Sequence, residues 1–145
     1  SVTSDGTTGE DWITRLLGKG FHMDYAKKVL RSQDFKPTKV AVLKGMLFEN
    51  DDRITSKIRA EADKRQLQKP NAEVACLIRE KFTDEDIEAM GLWQIVTMHE
   101  PIVSDLLGAD RSDDGRWLGA YYGEPDRRWS RDGGFAFAVS QVLNT

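Results

Sequence analysis

Three places in the sequence hold residue types whose spacing could do chemistry. Asp110, Ser112 and Asp114 fall at the first, third and fifth positions of a calcium loop, with Gly115 at the sixth, where such a loop must turn. The twelfth position is Tyr121 rather than a bidentate Glu, so two readings stand: a weak calcium site or a solvated acidic turn. His99-Glu100 begins like the zinc-protease helix motif, but Val103 occupies the place of its second histidine. His22 has no Cys or second His at ligand spacing and reads as a polar residue flanking a helix. Cys76, the sole cysteine, lies in the apolar stretch Val74 to Ile78, which makes it an inert buried thiol. There is no Gly-rich phosphate loop, no G-x-S-x-G elbow and no Ser or Thr paired with a histidine. The expectation is therefore no catalytic residue, no cofactor and no metal centre.

The elements that must position these residues divide into two halves. Asp11 caps a short helix through Leu17, stopped by Gly18, and Asp24 starts a second, to about Ser32. Lys39 to Leu43 is short and β-branched and reads as a strand. Asn50-Asp-Asp52 supplies caps for a helix to about Gln66, with Ile54 and Ile58 on one face. After Pro70, Asn71 caps a helix with Val74, Leu77, Ile78 and Phe82 at 3-4 spacing. Thr83 to Asp86 resembles a capping box with Asp in place of Glu, opening a helix with Ile87 and Met90 inward and Gly91 as its stop. Leu92 to Met98, with Trp93, Ile95 and Val96, reads as a buried strand with His99 at its end. Beyond Met98 the helical period disappears, leaving short apolar pieces separated by Gly, Asp, Ser, Pro and Arg. Helices followed by such short strands and long loops give an α+β class.

Composition shifts at the same boundary. The chain of 145 residues has a net charge of -3, which argues against a dedicated nucleic-acid binder. All ten lysines lie at or before Lys81, whereas five of the eleven arginines lie between Arg111 and Arg131. Ser104 to Phe137 carries six of the twelve glycines, two of the four tryptophans and two of the three tyrosines, with no Lys, Met, Gln or Cys. Gly, Ser, Tyr, Arg and Trp are what binding surfaces are made of, because aromatic rings give contact area at low entropy cost and small residues let loops adapt. The tryptophans, Trp117 and Trp129, read as core within it. No run is long enough to span a membrane and no signal peptide is visible. The chain opens on Ser1 rather than Met, so its localisation stays open.

Taken together, the run Asn71 to Phe82, the run Gly91 to Pro101, Leu106-Leu107, Gly115-Arg-Trp-Leu118, Arg128-Trp129 and Gly134 to Val139 resemble the variable proteins of diversity-generating retroelements, in the archaeal and small-genome bacterial branch. The resemblance spans about Lys36 to Gln141 and covers the N-terminal helices poorly. It implies a C-type lectin fold of the formylglycine-generating-enzyme type, with two core helices, short antiparallel strands and long structured loops. In that frame residues 1–10 are a disordered linker, 11–35 a helical segment and 36–145 the lectin-like domain, whose hypervariable region is about 104–134.

The resemblance also implies roles. Adenine-directed mutagenesis would diversify codons for ligand-facing positions, here Gly108, Asp110, Ser112, Asp113, Asp114, Gly119, Tyr121, Tyr122, Gly123, Asp126, Arg127, Ser130 and Asp132. Gly115, Arg116, Trp117, Leu118, Pro125, Trp129, Gly134, Phe135 and Phe137 would be fixed scaffold. An AAY template codon never yields Lys, Gln, Met, Glu or Trp, consistent with the composition of the segment. Of the adjacent tyrosines, Tyr121 shares a strand face with Gly119. Replacing Tyr121, Tyr122 and Arg127 by Ala is then expected to abolish binding and spare stability. The implied partner is a protein or cell-surface ligand, with no nucleic acid and no membrane span; the oligomeric state is unassigned. The alternative is a calcium-dependent carbohydrate-binding module using the Asp110 to Asp114 loop and Glu124, since Glu124-Pro-Asp126 is similar to a lectin motif. A third class, nucleic-acid binding through Arg53, Lys57, Arg59, Lys64 and Arg65, competes with a solvated helix face.

Overall fold

A computed structural model describes residues 9–19, 21–22, 39–111 and 116–139. Among them the helices are α1 (Gly9–Gly18), α2 (Thr55–Lys64), α3 (Glu73–Lys81) and α4 (Asp84–Ala89). The strands are β1 (Phe21–His22), β2 (Val40–Lys44), β3 (Leu67–Gln68), β4 (Gln94–Thr97), β5 (Asp105–Asp110), β6 (Arg116–Tyr122) and β7 (Gly133–Val139). The helix expected from Asp24 and most of the N-terminal linker lie outside the described residues.

The strands form one sheet in the order β1-β6-β5-β4-β7-β2, with β3 also on β7. It is mixed rather than antiparallel throughout. Two antiparallel hairpin steps leave β6 running the same way as β4. The 123–132 loop then carries the chain back to the start of the sheet, so β7 lies parallel to β4, with Gln94 opposite Gly133 and Thr97 opposite Ala136. β1 adds a second parallel pairing, Phe21 with Arg116 and His22 with Trp117, which puts His22 in a strand and not beside a helix. With helices and a mixed sheet, the fold class is α+β.

Alternation along the strands sends side chains to two cores. On one face Ile95, Leu107, Ala109, Leu118 and Ala136 meet α1, α3 and α4 through Trp12, Leu16, Val74, Ile78 and Ile87. On the other, Val96, Leu106, Phe135 and Phe137 meet Phe48, Trp129 and, from α2, Ile58 and Ala62. Trp12 and Leu16 of α1 are fully buried against α3 and the sheet, so α1 shares this core. Trp12 Nε1 also donates to Glu73 Oε2 at 2.7 Å, and Arg15 pairs with Glu80.

Local signals held unevenly. Thr83 and Asp86 form the expected capping box, and Gly91 ends the turn after α4 with φ 77°. Asn50 to Asp52 instead forms a separate 3-10 turn; α2 begins after Ile54, which offers no side-chain cap. The residue at the cap of α3 is Ala72, with no side-chain cap bond, rather than Asn71. Trp93 is 58% exposed instead of buried, because β4 starts one residue later, at Gln94.

Candidate ligand-binding surface

The β5–β6 hairpin carries the centre of the site. Its register sets Gly108 opposite Gly119, Leu106 opposite Tyr121 and Asp110 opposite Trp117, all on the α2 face. Two facing glycines leave a trough in that face, and the Tyr121 ring lies in it. A Cβ added to Gly108 would stand 2.8 Å from Tyr121 Cε2, and one added to Gly119 would stand 2.5 Å from Asp110 Oδ2 and 3.4 Å from Tyr121 Oη. The Tyr121 phenol donates to the Asp110 carboxylate. Its ring meets Trp129 edge to face at 6.0 Å, and the Arg127 guanidinium covers the Trp129 ring at 4.2 Å and the Tyr121 ring at 5.5 Å.

Burial dominates the electrostatics here. Asp110 is pushed up to about 6, chiefly by desolvation, against the opposing Tyr121 hydrogen bond and the Arg79 charge. Asp110 Oδ1 finds no hydrogen-bond partner among the described residues. The Tyr121 phenol is raised far above its ordinary value by the same burial and by the neighbouring carboxylate.

The hairpin is held from behind by Arg79, which is fully buried in α3. Its Nη1 donates to the carbonyls of Asp110 (2.9 Å) and Trp117 (3.1 Å), and its Nη2 to Phe82 O and Asp84 Oδ1 (both 3.0 Å). His99 binds the backbone of β5. The Leu107 N–H donates to its Nε2 at 3.1 Å, which leaves the ring proton on Nδ1, facing Glu100 O. Burial lowers His99 to about 4, so the ring is neutral.

The 123–132 loop is anchored through its main chain. The first amides of α2 donate to it, Thr55 N to Arg127 O at 3.1 Å and Ser56 N to Pro125 O at 2.8 Å, and Trp129 N donates to Arg53 O at 2.9 Å. Trp129 Nε1 adds a bond to Thr55 Oγ1 at 2.8 Å. The path of the loop therefore depends little on its exposed side chains.

The positions expected to face ligand are not equivalent. Tyr122, Asp126, Ser130 and Asp132 are exposed, and Asp110, Gly119, Tyr121 and Arg127 are half-buried around the trough. Gly108 and Gly123 are buried: Gly108 lies under Tyr121, and a Cβ on Gly123 would meet Leu106 Cγ at 3.0 Å. Ser112, Asp113, Asp114 and the scaffold residue Gly115 lie outside the described residues. Of the positions expected to be scaffold, Leu118, Trp129, Gly134, Phe135 and Phe137 are buried, while Arg116 is placed by its backbone in β6. Trp117 is only half-buried and Pro125 is exposed, contributing its carbonyl instead. Since Tyr121 is packed against Trp129, the triple replacement of Tyr121, Tyr122 and Arg127 is expected to cost some stability as well as binding.

Asp110 and Glu124 sit toward opposite ends of the hairpin, whose register runs from Asp110–Trp117 to Asp105–Tyr122. Five residues of strand separate these pairs by about 17 Å. Among the described residues no group of three His, Cys, Asp or Glu is placed to hold a metal. Cys76 is fully buried, and burial raises its thiol well above the ordinary value. Of the basic residues around α2, Arg53 is turned inward to Gly45 O and Phe48 O, and Arg59 to Met98 O and His99 O. Lys57 and Arg65 are paired with Asp52 and Glu61. Among the described residues no helix is long and apolar enough to cross a membrane.

Arg79, the α2 amides and exposed Trp93 escaped the sequence reading. Arg79 carried no local signal: only the structure shows that every position from Glu73 to Arg79 is buried, so that a charge there needs internal partners. No family model, curated protein or solved structure matches the chain.

Proposed function

We propose that the chain is a variable protein of a diversity-generating retroelement: a non-enzymatic binder with a C-type lectin fold of the formylglycine-generating-enzyme type. Its ligand surface is made by β5, β6 and the 123–132 loop, and its ligand is a protein or cell-surface molecule. The observation that carries this reading is the main-chain anchoring of the loop to Thr55, Ser56 and Arg53, which lets exposed side chains change while the path persists. The division of labour within the segment supports it further. Leu118, Trp129, Phe135 and Phe137 fill the cores, whereas Tyr122, Asp126, Ser130 and Asp132 lie outside them.

Amplicon sequencing of the gene in its natural population tests the reading. Substitutions should concentrate at codons 110, 119, 121, 122, 126, 127, 130 and 132, enter at adenines of a nearby near-copy, and spare Trp117, Trp129 and Phe135. Equal variation across codons 36 to 103 and 104 to 137 refutes it.

A further inference from the structure

The trough over Gly108 and Gly119 has the makings of a site for a ring, and a ring already occupies it. Its floor is backbone, since both facing residues lack Cβ atoms, and neither has room for one while Tyr121, over Gly108, and Asp110, over Gly119, stay in place. One wall is the Trp129 indole, which meets the Tyr121 ring edge to face, and the Arg127 guanidinium roofs that side. At the far end the Asp110 carboxylate accepts the phenol proton. A flat floor, an aromatic wall, a cation and a terminal acceptor are together what a phenol requires. Tyr121 is half-buried, so its removal would open the trough to solvent instead of leaving a sealed void.

We propose that this trough is a subsite for a phenolic ring, filled in the present chain by its own Tyr121 and open to a tyrosine side chain of a protein partner in copies with a small residue at position 121. The existence of such copies rests on the proposed function; the chemistry of the trough does not. The residue at 121 then sets specificity by filling or vacating the slot, and positions 110, 119 and 121 change together. A side chain larger than hydrogen at 108 or 119 requires a smaller or displaced residue at 121 or 110.

The test is binding of p-cresol, a tyrosine side chain without its backbone, to Tyr121→Gly and Tyr121→Ser. At about five times its dissociation constant p-cresol should raise the melting temperature of either variant by about 3 °C. The unsubstituted protein should not respond, and 4-methylanisole, which keeps the ring but cannot donate to Asp110, should give less than half the shift. Adding Gly108→Ala to Tyr121→Gly should remove the response. If neither variant folds alone, p-cresol should restore the folded circular dichroism spectrum. No effect, an equal effect on the unsubstituted protein, or no preference for the hydroxyl overturns the subsite. If p-cresol binds but codon 121 is invariant in the population, the subsite stands and the diversification falls; the converse result removes the subsite alone.

Discussion

Asp110→Asn should stabilise the protein at neutral pH. The half-buried Asp110 carboxyl holds its proton up to about pH 6, against an ordinary 3.8, so the fold favours the uncharged form. That difference of about 2 units corresponds to an upper bound of about 3 kcal/mol between the two protonation states, already net of the attraction to Arg79 and the Tyr121 bond. Solvent relaxation lowers the figure, and about 1–2 kcal/mol is expected. The sign follows from linkage: the stability tied to Asp110 is fully present below pH 3.8 and is lost as pH rises through about 6. Asn stays neutral, and its carbonyl still accepts the Tyr121 proton. His99 acts in the opposite sense, since burial depresses it to about 4, and its contribution is present above pH 6.5 and lost as pH falls toward 4. Melting curves of both proteins from pH 4 to 8 separate the two, because His99 cancels in the difference. Asp110→Asn should melt about 3–7 °C higher at pH 7.5, and the gap should close by pH 4. A variant less stable at pH 7.5, or a gap independent of pH, refutes the burial argument.

Three further outcomes can be checked by denaturation. Arg79→Met should lower stability by about 3 kcal/mol, a melting temperature about 10 °C lower, because it strips buried carbonyls of Asp110, Trp117 and Phe82 of a charged donor. Trp129→Phe should cost about 1–2 kcal/mol through loss of the Nε1 bond to Thr55 Oγ1, and urea titration should show it without a change in m-value. Val103→Asn with Ser104→Gly should raise stability by about 0.5–1 kcal/mol, read as a higher urea midpoint at unchanged m-value. The two residues form the β4–β5 turn with φ 51° and 68°, a geometry Asn-Gly adopts readily and Val does not; Val103 is 78% exposed, so little packing is lost.

The parts legible in the sequence were those with short-range causes. The Thr83 to Asp86 box, the Gly91 stop and the apolar spacing of α3 are written within a few residues of where they act. The pairing of Tyr121 with the face of Gly119 follows from strand alternation alone. What the residues alone could not display was anything set by register across the sheet. Gly108 reads as a ligand-facing position until β5 is seen to put it under Tyr121. Asn50 to Asp52 looks like a helix cap because the actual partners of the α2 amides, the carbonyls of Pro125 and Arg127, are some seventy residues away. Arg79 and Glu73 are polar letters on a helix that turns out to be surrounded, which the 3-4 spacing of its apolar residues does not announce.

That long-range start of α2 has a consequence for dynamics. Ile54 supplies no side-chain cap, so the opening amides of the helix depend on a segment that arrives late in the chain. The first turn of α2 and the 123–132 loop should therefore open as one cooperative unit, with the Thr55 and Ser56 amides exchanging hydrogen at the rate of loop detachment and faster than the amide of Ile58, which donates within the helix to Ile54 O. A tight ligand gripping the loop would slow exchange at the start of α2 without touching it, so the helix reports occupancy at a distance.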